Sequence, residues 1–190
     1  MDRRKAIGGI LGLTGISIAS VVGVKYFYGN LKSKRGQLQN YSNLISELVD
    51  AIIPATETPG AKEALVHEYI INYMEECSSM KEYNNFLNGL NNLQENCVNT
   101  YHHNFENCST VQKNQIIENL DNNYDSTSLF SKINNKLQGR SFFDILKSLT
   151  IEGYCTSEPG ATMHLEYQPI PGKYNAITNL KVNQKAWATK

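Results

Sequence analysis

The stretch from Ser141 to Gly172, SFFDILKSLTIEGYCTSEPGATMHLEYQPIPG, constrains this chain more than any other. Phe142, Phe143, Leu146 and Leu149 recur at helical spacing and define one apolar stripe. After Gly153 the segment becomes rich in Tyr, Pro and Gly, residues that end a helix rather than extend it. The expectation is a helical domain, residues 41-153, that finishes in an extended, irregular arm, residues 154-190. Such an arm either closes over a site on its own domain or lies on another protein.

The rest of the folded part reads as helix. Leu44, Ile45, Leu48, Val49 and Ile52 form a stripe that stops at Pro54. The loop PATETPGAK follows, with Thr58 as the expected cap of a helix carrying Val66, Tyr69, Ile70, Tyr73 and Met74. Tyr83, Phe86, Leu87, Leu90, Leu93 and Cys97 continue the spacing in a third, longer helix. Ser109 and Gln112 make a capping box for a fourth, with Val111, Ile116, Ile117 and Leu120 on its face. A further helical turn is expected over Ser131 to Leu137. Only Met163 to Tyr167 alternates enough to pair briefly as a strand. The fold class is all-α, a bundle of five or six helices with a C-terminal arm.

Size and charge narrow the function. The 190 residues suffice for one domain with an appendage, and 41% hydrophobic against 19% charged residues supplies a core. The zero net charge conceals an asymmetry: seven basic residues and Asp2 alone lie within the first 35 positions. The remainder is therefore mildly acidic, which excludes the basic folded surface of a nucleic-acid binder.

That basic start has a form of its own. Asp2-Arg3-Arg4-Lys5 precedes an uncharged run from Ala6 to Val24, diluted by Gly and Ser, and then Lys25. A basic n-region before a moderately apolar segment has the shape of an export signal, residues 1-28. Arg3 and Arg4 resemble a twin-arginine signal read by the twin-arginine export machinery. Asp2 and Ala6 stand where that signal usually has Ser and Phe. No clean A-x-A cleavage site follows, which leaves retention of residues 6-24 as a membrane anchor open beside the export signal, with residues 29-40 as a polar tether.

Candidate chemistry is sparse. Cys97, His102, His103 and Cys108 are zinc-competent residue types in a C-x4-H-H-x4-C pattern, but the spacing is not that of the usual paired ligands. On a continuous helix the two cysteines would stand about 16 Å apart, and only a break near His103 could gather them. Solvated histidines at a helix end are the simpler reading. In an exported chain Cys77, Cys97, Cys108 and Cys155 invite disulfides, with a bridge from Cys77 to a neighbouring helix as one option and buried free thiols as another. Cys155 could act as a nucleophile with His164 as base, although no local signature accompanies it. No phosphate-cradling loop, dinucleotide fingerprint or C-x-x-C-H haem site occurs, so no catalytic, cofactor-binding or firm metal residue is assigned.

Three blocks together resemble a known family: LVDAIIPATETPGAK (Leu48 to Lys62), FFDILKSLTIEGYCTSEPG (Phe142 to Gly160) and YQPIPGKY (Tyr167 to Tyr174), behind a leader with Arg3 and Arg4. The chain is similar to gluconate 2-dehydrogenase subunit 3, a family that includes small subunits of fructose and FAD-dependent glucose dehydrogenases. The resemblance implies a non-catalytic subunit that escorts and stabilises a large FAD-binding partner of the glucose-methanol-choline type, in some cases with a cytochrome c subunit. It implies an exported, periplasmic complex, no cofactor in this chain, and FAD in the large subunit. The arm residues Tyr154, Cys155, Ser157, Glu158, Tyr167, Pro169, Pro171 and Tyr174 then become the expected partner-binding set. Aromatics and prolines suit that role because they bring contact area at small conformational cost. The alternative is a self-contained extracytoplasmic enzyme or metal-binding protein built on Cys155 or on Cys97, His102, His103 and Cys108.

Overall fold

The computed structural model describes residues 35–122, 139–170, 172, 177, 179–180 and 182–188, all within one compact unit. Five α-helices lie among them: α1 (Ser42–Ile52), α2 (Val66–Glu76), α3 (Met80–Tyr101), α4 (Thr110–Asn122) and α5 (Phe142–Thr156). Short 3-10 turns at Leu38–Tyr41 and Phe105–Asn107 and a π-turn at Gly160–His164 complete the order. The all-α bundle is thus as expected. The leader, the turn expected over Ser131 to Leu137, Pro171 and Tyr174 lie outside the described residues. No helix among the described residues is long and apolar enough to cross a membrane.

Helix α5 is the central element. It packs against α3, α2 and α1, and buries Phe143, Ile145, Leu146, Leu149 and Tyr154 among them. The stripes from the other helices meet it there: Leu44, Ile45, Leu48 and Val49 from α1, Ile70 and Met74 from α2, and Tyr83, Phe86 and Leu90 from α3. Each is an i, i+3 or i+4 position, so the 3.6-residue period becomes one continuous core. Helix α4 is more loosely held, with no fully buried residue. Its Ile116, Ile117 and Leu120 pack on the core while Val111 faces solvent.

Side-chain caps set several helix ends. Ser79 accepts a hydrogen bond from Glu82 N (3.3 Å), and Ser141 accepts one from Asp144 N (3.3 Å). The Ser109 box is formed in both directions: Ser109 N donates to Gln112 Oε1 (2.9 Å), and Gln112 N donates to Ser109 Oγ (3.4 Å). Thr58 caps nothing. Helix α2 begins eight residues later, behind Leu65 in the left-handed region (φ 54°), because Ala61 to Leu65 first form their own turn.

The domain also starts earlier than the tether boundary at residue 40 suggests. Arg35 donates to Ser78 O (2.7 Å), Glu75 O and Met74 O, satisfying carbonyls left open at the end of α2. The Glu75 carboxylate answers by accepting from Gly36 N (2.7 Å), Leu38 N and Tyr83 Oη (3.0 Å). Leu38 is fully buried beneath this clasp, so residues 35–40 belong to the fold.

The expected strand shrinks to a single bridge. Met163 and His164 are taken up by the π-turn. Among the described residues only Glu166 pairs, its N–H donating to Ala186 O (2.8 Å) and its carbonyl accepting from Ala188 N (3.0 Å).

Candidate docking surface

The arm does not leave the domain at Gly153. Helix α5 runs three residues further because Gly153 lets it approach α2 closely: a Cβ there would fall 2.6 Å from the Tyr69 ring and 3.0 Å from Val66. Tyr154 consequently points inward, 3% exposed, and its hydroxyl donates to Pro59 O (2.7 Å). The loop from Pro54 to Lys62 and the segment from Gly153 to Gly160 are nearly 100 residues apart in sequence. That hydrogen bond joins them.

Past Thr156 the chain folds back on itself. Ser157 Oγ donates to Tyr154 O (2.7 Å) and accepts from Gly160 N (3.1 Å). Gly160 sits so near the end of α5 that a Cβ would lie 1.9 Å from the Tyr154 carbonyl oxygen. The His164 ring then packs against Tyr154 at 5.6 Å between centroids. A rigid corner is the result, and the arm departs from it.

Beyond the corner the apolar residues turn outward. Ile170, Ile177, Leu180 and Val182 are 82% to 93% exposed, and Met163, Tyr167 and Trp187 are about half exposed. Glu158 and Pro169 of the expected set are exposed, Ser157 holds the turn, and Cys155 is half-buried. The four aliphatic residues were not singled out from sequence. Their signal was apolar character without any helical or strand period, close to Pro and Gly.

The catalytic alternatives find little support in the geometry. No hydrogen bond joins Cys155 to His164 among the described residues; the imidazole packs against Tyr154 with the two rings tilted by 60°. Burial first, and the Glu152 carboxylate next, raise the pKa of the Tyr69 phenol on α2. The C-x4-H-H-x4-C stretch does break, at His102, which takes a left-handed conformation (φ 63°) and ends α3. This turn brings the Cys97 and Cys108 side chains together but leaves His102 exposed. No group of three metal-competent side chains forms among the described residues. Burial first, and Cys108 next, push the Cys97 thiol up to about 12, which favours the protonated form.

Polar contacts brace the scaffold that carries the corner. Glu47 on α1 bridges Lys62 in the loop and Lys113 on α4, both at 2.5 Å. Burial would raise its pKa, but the two ammonium groups outweigh that and hold the carboxyl below the usual range. Arg140 and Glu82 (2.8 Å) similarly tie the start of α5 to α3, and there too the pairing overcomes desolvation to lower the Glu82 pKa.

The comparison with protein families decides the identity of the arrangement. A family model described as Gluconate 2-dehydrogenase subunit 3 matches residues 39–172, most of the chain and both halves of the corner. The chain belongs to the gluconate 2-dehydrogenase subunit 3 family. The comparison with curated proteins found no match, and neither did the comparison with solved structures. Membership in a subunit family implies a partner dehydrogenase subunit. In this member of the family, the matched region ends at Gly172, inside the arm, where the exposed apolar residues begin to accumulate.

Proposed function

We propose that this chain is the non-catalytic small subunit of an FAD-dependent sugar or polyol dehydrogenase, and that its C-terminal arm is the part that grips the large subunit. The observation that carries the reading is the contrast at the corner. Among the described residues, the large apolar ones upstream of Tyr154 are mostly buried, and those between Met163 and Trp187 are mostly exposed, within a family defined as a subunit. Apolar residues left in water at this density mark a surface that another protein covers.

The flavin belongs to the large subunit in this reading, and substrate oxidation takes place there. The small chain contributes burial: covering the arm removes apolar area from water on both partners and slows dissociation. The leader with Arg3 and Arg4 directs the assembled pair out of the cytoplasm, and residues 6-24 hold it at the membrane where they are retained. The rigid corner at Tyr154 fixes the direction in which the arm departs, so that less ordering is required on binding.

The test is co-purification. The full chain and a version ending at Leu165 are co-expressed with a large FAD-binding dehydrogenase subunit from the same genome, and the captured complex is measured by its flavin absorbance. The full chain is expected to retain the large subunit. The shortened chain is expected to lose at least about 100-fold in affinity while keeping its helical circular dichroism. Undiminished capture by the shortened chain would show that the arm is not the interface.

A further inference from the structure

The turn at the end of α3 carries a feature that the docking role does not use. Cys97, on the last buried turn of α3, and Cys108, just after the 3-10 turn at Phe105–Asn107, are both buried (2% and 6% exposed) and are hydrogen-bonding neighbours. Two further contacts fix the return of the chain. Gln94 Nε2 donates to both Glu106 carboxylate oxygens (3.0 and 2.8 Å), and Phe105 N donates to Gln94 Oε1 (2.9 Å). The Cys108 thiol in turn donates to Asn104 O (3.6 Å). Phe105 is fully buried under this turn.

We infer that Cys97 and Cys108 form an intrachain disulfide when the chain meets an oxidising compartment, closing the turn between α3 and α4, while Cys77 and Cys155 stay outside that bond. Both side chains are buried and are neighbours across a turn already fixed at Gln94, so the bond, about 2.05 Å long, would join adjacent groups rather than distant elements. Cys77 is exposed at the end of α2, and Cys155 is half-buried near the end of α5.

The oxidant is a protein or small-molecule disulfide. One cysteine thiolate attacks it, forming a mixed disulfide and releasing one oxidant thiolate. The second cysteine thiolate then attacks the mixed disulfide at its own partner's sulfur and expels the other oxidant thiolate. One S–S bond forms in the chain, one is reduced in the oxidant, and the two thiol protons pass to solvent or to the released thiolates. Because the folded Cys97 thiol resists ionisation, the exchange takes place before α4 closes over it or starts at Cys108. A slow reaction of the folded, reduced chain follows from this.

The pairing is tested on the purified full-length chain, refolded in oxidised and reduced glutathione, denatured, alkylated and weighed. Two alkylated thiols and a peptide map linking Cys97 to Cys108 are expected, against four alkylated thiols after reduction. Reduction of a C77S/C155S variant is expected to lower its Tm by about 5–10 °C. Four free thiols in every glutathione ratio, or a map joining either residue to Cys77 or Cys155, would overturn the inference. Since the buffer sets the redox conditions, that outcome is separate from failure of the export reading, which is read by fractionating cells for the chain.

Discussion

The helical body and the arm draw on the same kinds of residue and treat them in opposite ways. In α1, α3 and α5 the Leu, Ile and Phe side chains repeat every three or four positions and are almost entirely buried. Between Met163 and Trp187 similar side chains are interrupted by Pro169, Pro171 and Gly172, and they are exposed. Regular spacing lets a segment bury its own apolar face on its neighbours; without it the residues must find a surface outside the chain. The corner at Tyr154 and Gly160 is the hinge between these two regimes. Substitutions on either side of it should therefore differ in what they damage.

The largest effect is expected at the corner itself. Gly160→Val would place side-chain carbon 1.9 Å from the Tyr154 carbonyl, a backbone atom that cannot swing aside. A loss of about 3 kcal/mol or more is expected, read as a shift in the urea midpoint, with the arm cast loose as well. Tyr154→Phe is milder. It leaves the packing but deprives Pro59 O of its donor, at about 1–2 kcal/mol. If Tyr154→Phe were neutral, the loop and α5 would be joined by packing alone, and the corner would be less rigid than drawn here.

A pH effect of similar or smaller size is expected from the brace. The folded pKa of Glu47 lies below its ordinary value, so its contribution is present above the unfolded pKa and is lost as the pH falls through the folded one. Glu82 acts in the same direction. Acidification below about pH 4.5 should therefore lower Tm, and Glu47→Gln should remove part of that dependence while costing about 1 kcal/mol at neutral pH. Glu47→Gln with an unchanged acid limb would assign the pH effect to other carboxylates.

Much of the body was legible because helical periodicity is a local signal. The stripe that stops at Pro54, the Ser109 and Gln112 box and the start of α5 at Ser141 all lie where residue types dictate. The misreadings share one cause, distant packing. Gly153 reads as a helix stop but serves to admit Tyr69, which no neighbour in sequence announces. Arg35 and Leu38 read as tether because their partners, carbonyls at the end of α2 for Arg35 and the Glu75 carboxylate for Leu38, come some 40 residues later. The meeting of Cys97 with Cys108 depends on His102 adopting a left-handed backbone, a choice few non-glycine residues make. For the docking surface, the aromatic and proline residues were visible, while the aliphatic ones had no pattern to draw the eye.

The smallest stability effect should come from the arm, and it is the sharpest test of the contrast. Replacing Ile170, Ile177, Leu180 and Val182 together by Ser removes four large apolar side chains that the isolated chain leaves in water. Their loss should move stability by no more than about 0.5 kcal/mol per site, and the protein should become more soluble. The same number of Leu→Ala changes in α1 or α5 would unfold it, at about 2–5 kcal/mol each. Equal denaturation midpoints for the Ser variant and the wild type, measured beside weakened capture of the large subunit, would show that these residues serve association rather than folding. A clear fall in the midpoint would mean instead that they pack on this domain, and the division at the corner would have to be redrawn.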